Sequence, residues 1–262
     1  MALLTEERRA LLDPFIRQYR LVRQREGRRL STPDYYRRLH SVAQGDPHSQ
    51  EWEIRHQTYD HLLRHVLAAR RAPIQVLDVG AGSGWLSHRL AALGHRAVAV
   101  DAIADDVDGL GATRHYAVDL TVVQADFDAL PFASCQFDLV VFNGSLHYAA
   151  DPAATLERTQ GLLAPGGALV VMDSPMFRAD ADGSAMVDAK IQRFVCECGF
   201  TDVVQQGAGY LTFTRLARVA EKLALRAQFV PSRGPLGWRL RRSVSRVRLR
   251  RAPAAFGLWV AR

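Results

Sequence analysis

Cysteine is scarce in this 262-residue sequence, which holds Cys135, Cys196 and Cys198 and no other thiol. An odd number of cysteines without the spacing of zinc ligands argues against a disulfide framework and against a zinc site. We therefore expect three reduced packing residues in a cytoplasmic protein.

Long apolar runs are lacking as well. The sequence contains no eighteen consecutive apolar residues, so no transmembrane segment is expected. The first nine residues lack the basic region and apolar core of a signal peptide. Hydrophobic residues still make up 48% of the chain, which suits one α/β domain of this length.

Acidic residues are nearly absent from one segment. Residues 215–251 hold eleven Arg, one Lys and one Glu, a local charge of +11 within a chain whose net charge is +7. This basic segment, and not the protein as a whole, is where we expect any acidic partner or surface to be met.

A glycine-rich turn is the main motif. Residues 74–79 form an apolar run, and Gly80, Gly82 and Gly84 follow at alternate positions before leucines at helical spacing. This pattern predicts strand, tight turn and helix, with backbone N–H groups facing an anionic or zwitterionic ligand. A dinucleotide fingerprint would need glycine where Trp85 stands, so NAD and FAD are disfavoured.

The spacing Asp78-x-Gly80-x-Gly82-x-Gly84 resembles the first motif of the class I S-adenosylmethionine-dependent methyltransferases. The resemblance is closest to the small-molecule branch that includes the quinone-biosynthesis (type 11) methyltransferases. It implies S-adenosyl-L-methionine as the cofactor, with Asp78 and the three glycines among its contacts.

Two later acidic positions extend the resemblance. Asp101 ends a second apolar run, where a strand-end carboxylate can accept both ribose hydroxyls of a nucleoside. A third predicted strand, 120–125, is followed by Asp126 and Phe127. The resemblance implies that Asp126 accepts a hydrogen bond from the adenine amino group and that Phe127 packs on the ring.

The remaining predicted strands complete an α/β fold. We expect a Rossmann-like, mostly parallel seven-stranded sheet with helices on both faces. The later strands are predicted over residues 137–143, 168–173, 201–206 and 256–260. We divide this single domain into a helical N-terminal cap, a Rossmann-like core, a basic insertion and the last strand, which correspond to residues 1–70, 71–207, 208–252 and 253–262.

The loop after the fourth strand carries two candidates. Asn143 ends the strand and is implied as a cofactor contact, and His147 follows at the edge where open α/β sheets bind ligands. His147 is a candidate general base, because an imidazole can take a proton near neutral pH. The alternative is a packing histidine that hydrogen-bonds the loop.

Aromatic residues in the N-terminal cap are candidates for the acceptor wall. These are Tyr35, Tyr36, Trp52 and Tyr59, together with Arg55, which could meet a carboxylate. Ordinary helix packing is the alternative for each of them.

Acidic residues cluster between the second and third strands. Asp105, Asp106 and Asp108 lie on one glycine-containing stretch that replaces a helix usual in the family. We interpret it either as a loop closing beside the adenosine or as a plain surface loop. No metal site is expected, because the position that is acidic in metal-dependent catechol methyltransferases is Asn143.

The basic segment contains a predicted amphipathic helix. An apolar stripe recurs at steps of four, four and three residues, at Leu236, Leu240, Val244 and Val247, and arginines occupy much of the remaining circumference. Two interpretations stay open: the helix lies at an anionic membrane surface, or it packs by its stripe on the domain.

The resemblance implies metal-independent methyl transfer to an O, C or N atom of a small-molecule or lipid-like acceptor. The alternative is a cofactor-binding, noncatalytic adaptor, or an RNA-associated protein that uses residues 215–251. A nucleic-acid acceptor is less expected, because Asn143-Gly144-Ser145-Leu146 stands where amino-methylating nucleic-acid enzymes carry Asn/Asp-Pro-Pro-Tyr/Phe.

Overall fold

The computed structural model describes residues 3–28, 32–41, 45–71 and 73–262, and within the last range it leaves out the side chains of residues 243, 245–247 and 249. The described chain forms helices and strands in the order α1 Glu6–Arg25, α2 Pro33–Arg38, α3 Ser49–Leu62, β1 Gln75–Val79, α4 Trp85–Ala92, β2 Arg96–Asp101, β3 Thr121–Gln124, β4 Phe137–Asn143, α5 Pro152–Gln160, β5 Leu163–Met172, β6 Met176–Phe177, α6 Asp180–Cys198, β7 Leu211–Thr212, α7 Phe213–Lys222, β8 Ala227–Pro231, α8 Leu236–Leu249 and β9 Gly257–Ala261.

The described residues form a seven-stranded sheet in the order β3-β2-β1-β4-β5-β9-β8. The first five strands are parallel, and β9 runs antiparallel to both β5 and β8. The predicted Rossmann-like, mostly parallel sheet is thereby confirmed. The chain order reverses between β1 and β4, and the carboxyl ends of the parallel strands meet at one edge, where such sheets bind ligands.

The central strands are buried on both faces. Val76 and Leu77 in β1 and Leu139, Val140 and Val141 in β4 are all 0% exposed. Helices cover both sides of such strands, which explains their near-continuous apolar sequence. Two large hydrophobic clusters result, one on each face of the sheet.

The predicted sixth strand, 201–206, is wrong. These residues run as an irregular segment beside α1, where the side chain of Gln18 donates to the carbonyl of Asp202 at 2.7 Å and accepts from the N–H of Val204 at 2.8 Å. The Gln18 side chain therefore satisfies backbone groups that would otherwise need hydrogen bonds to a neighbouring strand. The sixth strand of the sheet in chain order is β8, which lies inside the predicted insertion 208–252.

The packing role expected for the cysteines is wrong for two of the three. Cys135 and Cys196 are exposed, and Cys198 is half-buried at the end of α6. The apolar character of a thiol does not by itself fix its burial.

Helix α8 docks by a face other than its apolar stripe. Leu236, Leu240 and Val244 are 77%, 68% and 60% exposed, so packing of the stripe on the domain is wrong for these three residues. Val247 lies outside the described side chains. The docking face holds Trp238, whose ring lies 6.4 Å from that of Phe256.

Among the described residues, no helix is both long and apolar enough to cross a bilayer.

Candidate active site

The turn after β1 adopts the left-handed backbone that its glycines allow. Gly80, Gly82 and Gly84 have φ values of 73°, 55° and 72°. The N–H groups of Gly80 and Ala81 donate to the carbonyl of Val100 at 2.8 and 2.9 Å. An ideal Cβ at position 80 would stand 2.4 Å from the Cβ of Ser145, so the close approach of the two loops requires glycine there.

The turn forms one wall of a cavity of about 220 Å³ at the carboxyl edge of the sheet. Six predicted cofactor residues line this cavity together: Gly80, Gly82, Asp101, Asp126, Phe127 and Asn143. They come from the ends of β1, β2, β3 and β4, which the parallel topology brings to one place.

Asp78 and Gly84, also predicted as cofactor contacts, lie beneath the turn instead. Asp78 is 0% exposed and accepts a hydrogen bond from the Ser87 hydroxyl at 2.8 Å. Burial raises the pKa of Asp78 to about 7, against the opposing effect of that hydrogen bond. Gly84 precedes α4, and a Cβ there would meet Thr113 at 2.8 Å. These two residues join β1 to α4 rather than face the cavity.

Asp101 is hydrogen-bonded to the backbone of the glycine turn and of the loop after β2. One carboxylate oxygen accepts from the N–H of Gly82 at 2.7 Å and the other from the N–H of Ile103 at 2.8 Å. Burial raises the pKa of Asp101 to about 6, and these two hydrogen bonds oppose the rise. Each carboxylate oxygen can accept more than one hydrogen bond, so the group can also accept ligand hydroxyls.

Asp126 faces a cation that the sequence did not reveal. Its carboxylate accepts from Arg8 of α1 and from the N–H of Asp128, the latter at 2.6 Å. Arg8 also reaches the carboxylate of Asp128 at 2.9 Å. Helix α1 therefore covers the part of the cavity where an adenine amino group was predicted to lie.

The acidic stretch between β2 and β3 is a cavity wall. Ile103, Val107 and Asp108 line the cavity, and Asp105 accepts from the N–H groups of Val107 and Asp108 at 2.9 and 2.7 Å. Arg20 of α1 binds Asp105 at 2.8 Å. The interpretation of a loop beside the nucleoside site fits this arrangement better than that of a plain surface loop.

A second cavity of about 300 Å³ adjoins the first. Phe15, Tyr19, Arg55, Gly144 and Tyr148 line both. The second cavity extends to residues of α6 and the segment after β5, among them Pro175, Val187, Lys190, Ile191 and Phe194. Because the two cavities share a wall at the end of β4, the second is the candidate acceptor chamber.

His147 lies in the wall of this chamber. Its Nδ1 is 3.1 Å from the hydroxyl of Ser174, and its side chain is buried. Burial lowers the pKa of His147 to about 3, and the charges of Lys190 and Arg55 act in the same direction. A neutral imidazole with so acidic a conjugate acid is a weak proton acceptor at neutral pH. The hydrogen-bonding alternative fits this environment better than a general base.

The cap residues predicted to wall the acceptor separate into two groups. Tyr35, Tyr36, Trp52 and Arg55 line the first cavity. Tyr59 packs instead beneath the helix after the glycine turn, with its ring 6.2 Å from that of Trp85.

The chain matches the methyltransferase-domain family over residues 77–171. It is 38% identical over 97 residues to the uncharacterized methyltransferase Rv0089 of Mycobacterium tuberculosis, which is 37% of this chain and 49% of that protein. It is 34% identical over 118 residues to the ubiquinone/menaquinone biosynthesis C-methyltransferase UbiE of Shewanella frigidimarina, which is 42% of this chain and 47% of that protein. The chain thus spans about half the length of these curated relatives.

The fold is also similar to that of the YcgJ protein from Bacillus subtilis, with a TM-score of 0.55 and 16% identity over 79% of this chain and 96% of that one. The glycine turn and the five parallel strands of the sheet fall within the Rossmann-like core that contains the family match over residues 77–171. Residues 77–171 therefore match a methyltransferase domain, and they lie on a Rossmann-like α/β fold.

Proposed function

We propose that this protein transfers a methyl group from S-adenosyl-L-methionine to a small-molecule or lipid-like acceptor without a metal ion. The observation that carries the proposal is the meeting of the glycine turn, Asp101 and Asn143 in one cavity at the carboxyl edge of the sheet. Open α/β sheets bind nucleotide-containing ligands at this kind of edge.

Two features of the cavity suit the cofactor. Gly80 lets the loop that carries Ser145 pack against the turn, where any Cβ would collide, and so brings both loops to the cavity. The side-chain oxygen of Asn143 is buried and accepts no hydrogen bond within the described part of the chain. An ammonium group such as that of the methionine moiety would supply the missing donor.

The chain's own contribution is mainly orientation. When bound, the cofactor supplies an electrophilic methyl group on a sulfonium. Phe15, Tyr19 and Tyr148 form a cluster with ring centroids 5.7 to 6.4 Å apart and present an aromatic wall at the boundary of the two cavities. With His147 held neutral, transfer rests on placing the nucleophile in line with the methyl group rather than on a protein base.

Calorimetric titration with S-adenosylhomocysteine tests the cofactor assignment. We expect saturable binding with one site per chain, and the absence of binding at millimolar ligand would refute the proposal. Transfer of labelled methyl groups to fractions of a cell extract then separates an enzyme from a noncatalytic adaptor. Cofactor binding without any labelled fraction would support the adaptor.

Helix α8 supports an additional part of the proposal, contact with an anionic membrane surface. Its exposed Leu236, Leu240 and Val244 are accompanied by the exposed arginines Arg241 and Arg248. Apolar side chains beside cations complement an acyl boundary beneath anionic headgroups. RNA binding would use the arginines but would leave the apolar stripe in water, so we favour the membrane over RNA.

A further inference from the structure

Three arginines line the boundary of the two cavities, and two of them are neutralised. Arg23 lies 3.0 Å from a carboxylate oxygen of Asp108. Arg28 pairs with Glu26 at 2.9 Å and with Glu51 at 2.6 Å. Neither guanidinium is left to attract an anionic ligand strongly.

Arg55 is the third, and within the described residues it forms no ion pair at 4.0 Å or less. Its guanidinium carbon lies 5.2 Å from the centre of the Trp52 ring, so the planar group rests beside an aromatic face. The Arg55 side chain is half-buried on α3 and lines both cavities. Removing a charged guanidinium from water costs free energy, and a ligand of opposite charge would offset that cost.

Arg55 lies close to the carboxyl end of β4. Its two terminal nitrogens lie 3.7 and 4.0 Å from the point where a Cβ on Gly144 would stand, at the end of β4. Asp173, an acidic residue that lines the second cavity with Arg55, accepts a hydrogen bond from the hydroxyl of Thr58 at 2.7 Å with one carboxylate oxygen. Burial raises the pKa of Asp173, and the charge of Arg55 and the hydrogen bond from Thr58 oppose that rise.

We infer that Arg55 binds a carboxylate group of the methyl acceptor at the boundary of the two cavities. The inference rests on the proposed function, because it assigns the second cavity to the acceptor. A guanidinium presents a planar fork of donors that matches a carboxylate in a bidentate pair, and the Trp52 face fixes the plane of that fork.

A monoanion suits this site better than a phosphate dianion. The arginines beside Arg55 already carry acidic partners, and the other cation of the second cavity, Lys190, lies on α6 and does not line the first cavity. One unpaired guanidinium therefore faces the shared boundary. The aromatic rings of Phe15 and Tyr148 nearby favour an acceptor whose carboxylate is attached to an apolar body.

The test uses the full chain saturated with S-adenosylhomocysteine. Benzoate, octanoate and hexanoate are titrated by calorimetry, each beside its neutral amide. We expect at least one carboxylate to bind more tightly than its amide, and Arg55→Gln to weaken that carboxylate about tenfold or more. Arg55→Lys should restore the affinity in part, since it keeps the charge and loses the fork.

Arg64→Gln is the matched control, because Arg64 is an exposed arginine just beyond α3 that pairs with Asp60 at 3.3 Å. It should leave carboxylate affinity unchanged. The inference is overturned if no carboxylate binds better than its amide, or if Arg55→Gln and Arg64→Gln bind the carboxylate equally well. Binding of S-adenosylhomocysteine, measured first for every variant, separates such a result from failure of the proposed function.

Discussion

Substitution of Gly80 tests whether the closeness of two loops creates the cofactor site. Gly80 has a φ of 73°, and an added Cβ would stand 2.4 Å from the Cβ of Ser145 and 3.3 Å from the Phe127 ring. Ser145 cannot yield easily. It is buried, and its hydroxyl donates to the carbonyl of Val79 at 2.5 Å.

Two costs add in Gly80→Ala. A left-handed backbone costs a residue with a Cβ roughly 1–2 kcal/mol. Forcing an extra methyl group into a packed interior costs about 1–3 kcal/mol more. Gly94→Ala isolates the first cost, because Gly94 has a φ of 86° and its added Cβ would meet no described atom within 4 Å.

Urea unfolding measures the stability of the two variants, and titration with S-adenosylhomocysteine measures their affinity for the cofactor product. Gly94→Ala should lose about 1–2 kcal/mol of unfolding free energy and keep wild-type affinity. Gly80→Ala should lose about 2–5 kcal/mol and bind at least about tenfold more weakly, because the loop after β4 must move. Equal stability of the two variants together with unchanged affinity in Gly80→Ala would refute the reasoning.

Three further substitutions address other parts of the molecule. Asp101→Ala should weaken S-adenosylhomocysteine binding by about 1–3 kcal/mol, whereas the exposed Asp119→Ala should not; equal titrations would reject the assignment. His147 has a pKa of about 3 in the folded chain and about 6.5 in the unfolded chain, so its contribution to stability is complete above pH 6.5 and is lost as pH falls. Between pH 7 and pH 5 the unfolding free energy of His147→Gln, measured in urea, should therefore fall by about 2 kcal/mol less than that of the wild type. An equal fall in the two proteins would contradict this. Replacing Leu236 and Leu240 of α8 by serine should abolish co-sedimentation of the protein with phosphatidylglycerol vesicles. Equal recovery of the wild type with phosphatidylglycerol and with neutral phosphatidylcholine vesicles would reject contact with an anionic surface.

The central sheet was predictable because its strands are buried on both faces. β4 was predicted over residues 137–143 and occupies Phe137–Asn143. Continuous apolar runs with β-branched residues identify such strands without help from distant parts of the chain. The polar residues that end these strands, such as Asp101 and Asn143, therefore lie at the carboxyl edge of the sheet and line the first cavity.

The strands at the other end of the sheet were harder to predict. β8 reads Ala-Gln-Phe-Val-Pro, a short run that ends in proline and resembles a loop. It is a strand because it pairs with β9, whose residues Gly257–Ala261 lie about thirty positions later. Pairing between distant segments leaves little signal in either one.

The docking face of α8 illustrates a similar limit. An apolar stripe at helical spacing predicts amphipathicity, but it does not say which face meets the protein. The guanidinium of Arg242 lies 4.0 Å from the centre of the Trp238 ring and also contacts the carbonyl of Ala254. One aromatic and one arginine side chain thus form the contact that the leucines were expected to make.

The cover of the site was beyond sequence reasoning, because it depends on ion pairs between distant positions. Arg8 and Arg20 meet acidic residues 118 and 85 positions further along the chain. Each of these arginines is also an ordinary solvated residue of an amphipathic helix when α1 is considered alone. Their roles become visible only when the loops after β2 and β3 are in place.

The relative strength of these contacts indicates how α1 stays on the site. The Arg8 and Arg20 side chains are 37% and 38% exposed, so solvent screens their ion pairs, which contribute about 0–1 kcal/mol each, whereas Arg23 pairs with a carboxylate of Asp108 that is 1% exposed. Leu12 and Ile16 lie on the same helix and are 8% and 7% exposed, and burying each contributes about 1.5–3 kcal/mol. Apolar burial therefore keeps the helix on the domain, while the ion pairs fix its register against the loops that line the first cavity. Because salt screens the second effect and not the first, raising the ionic strength should loosen that register without detaching the helix.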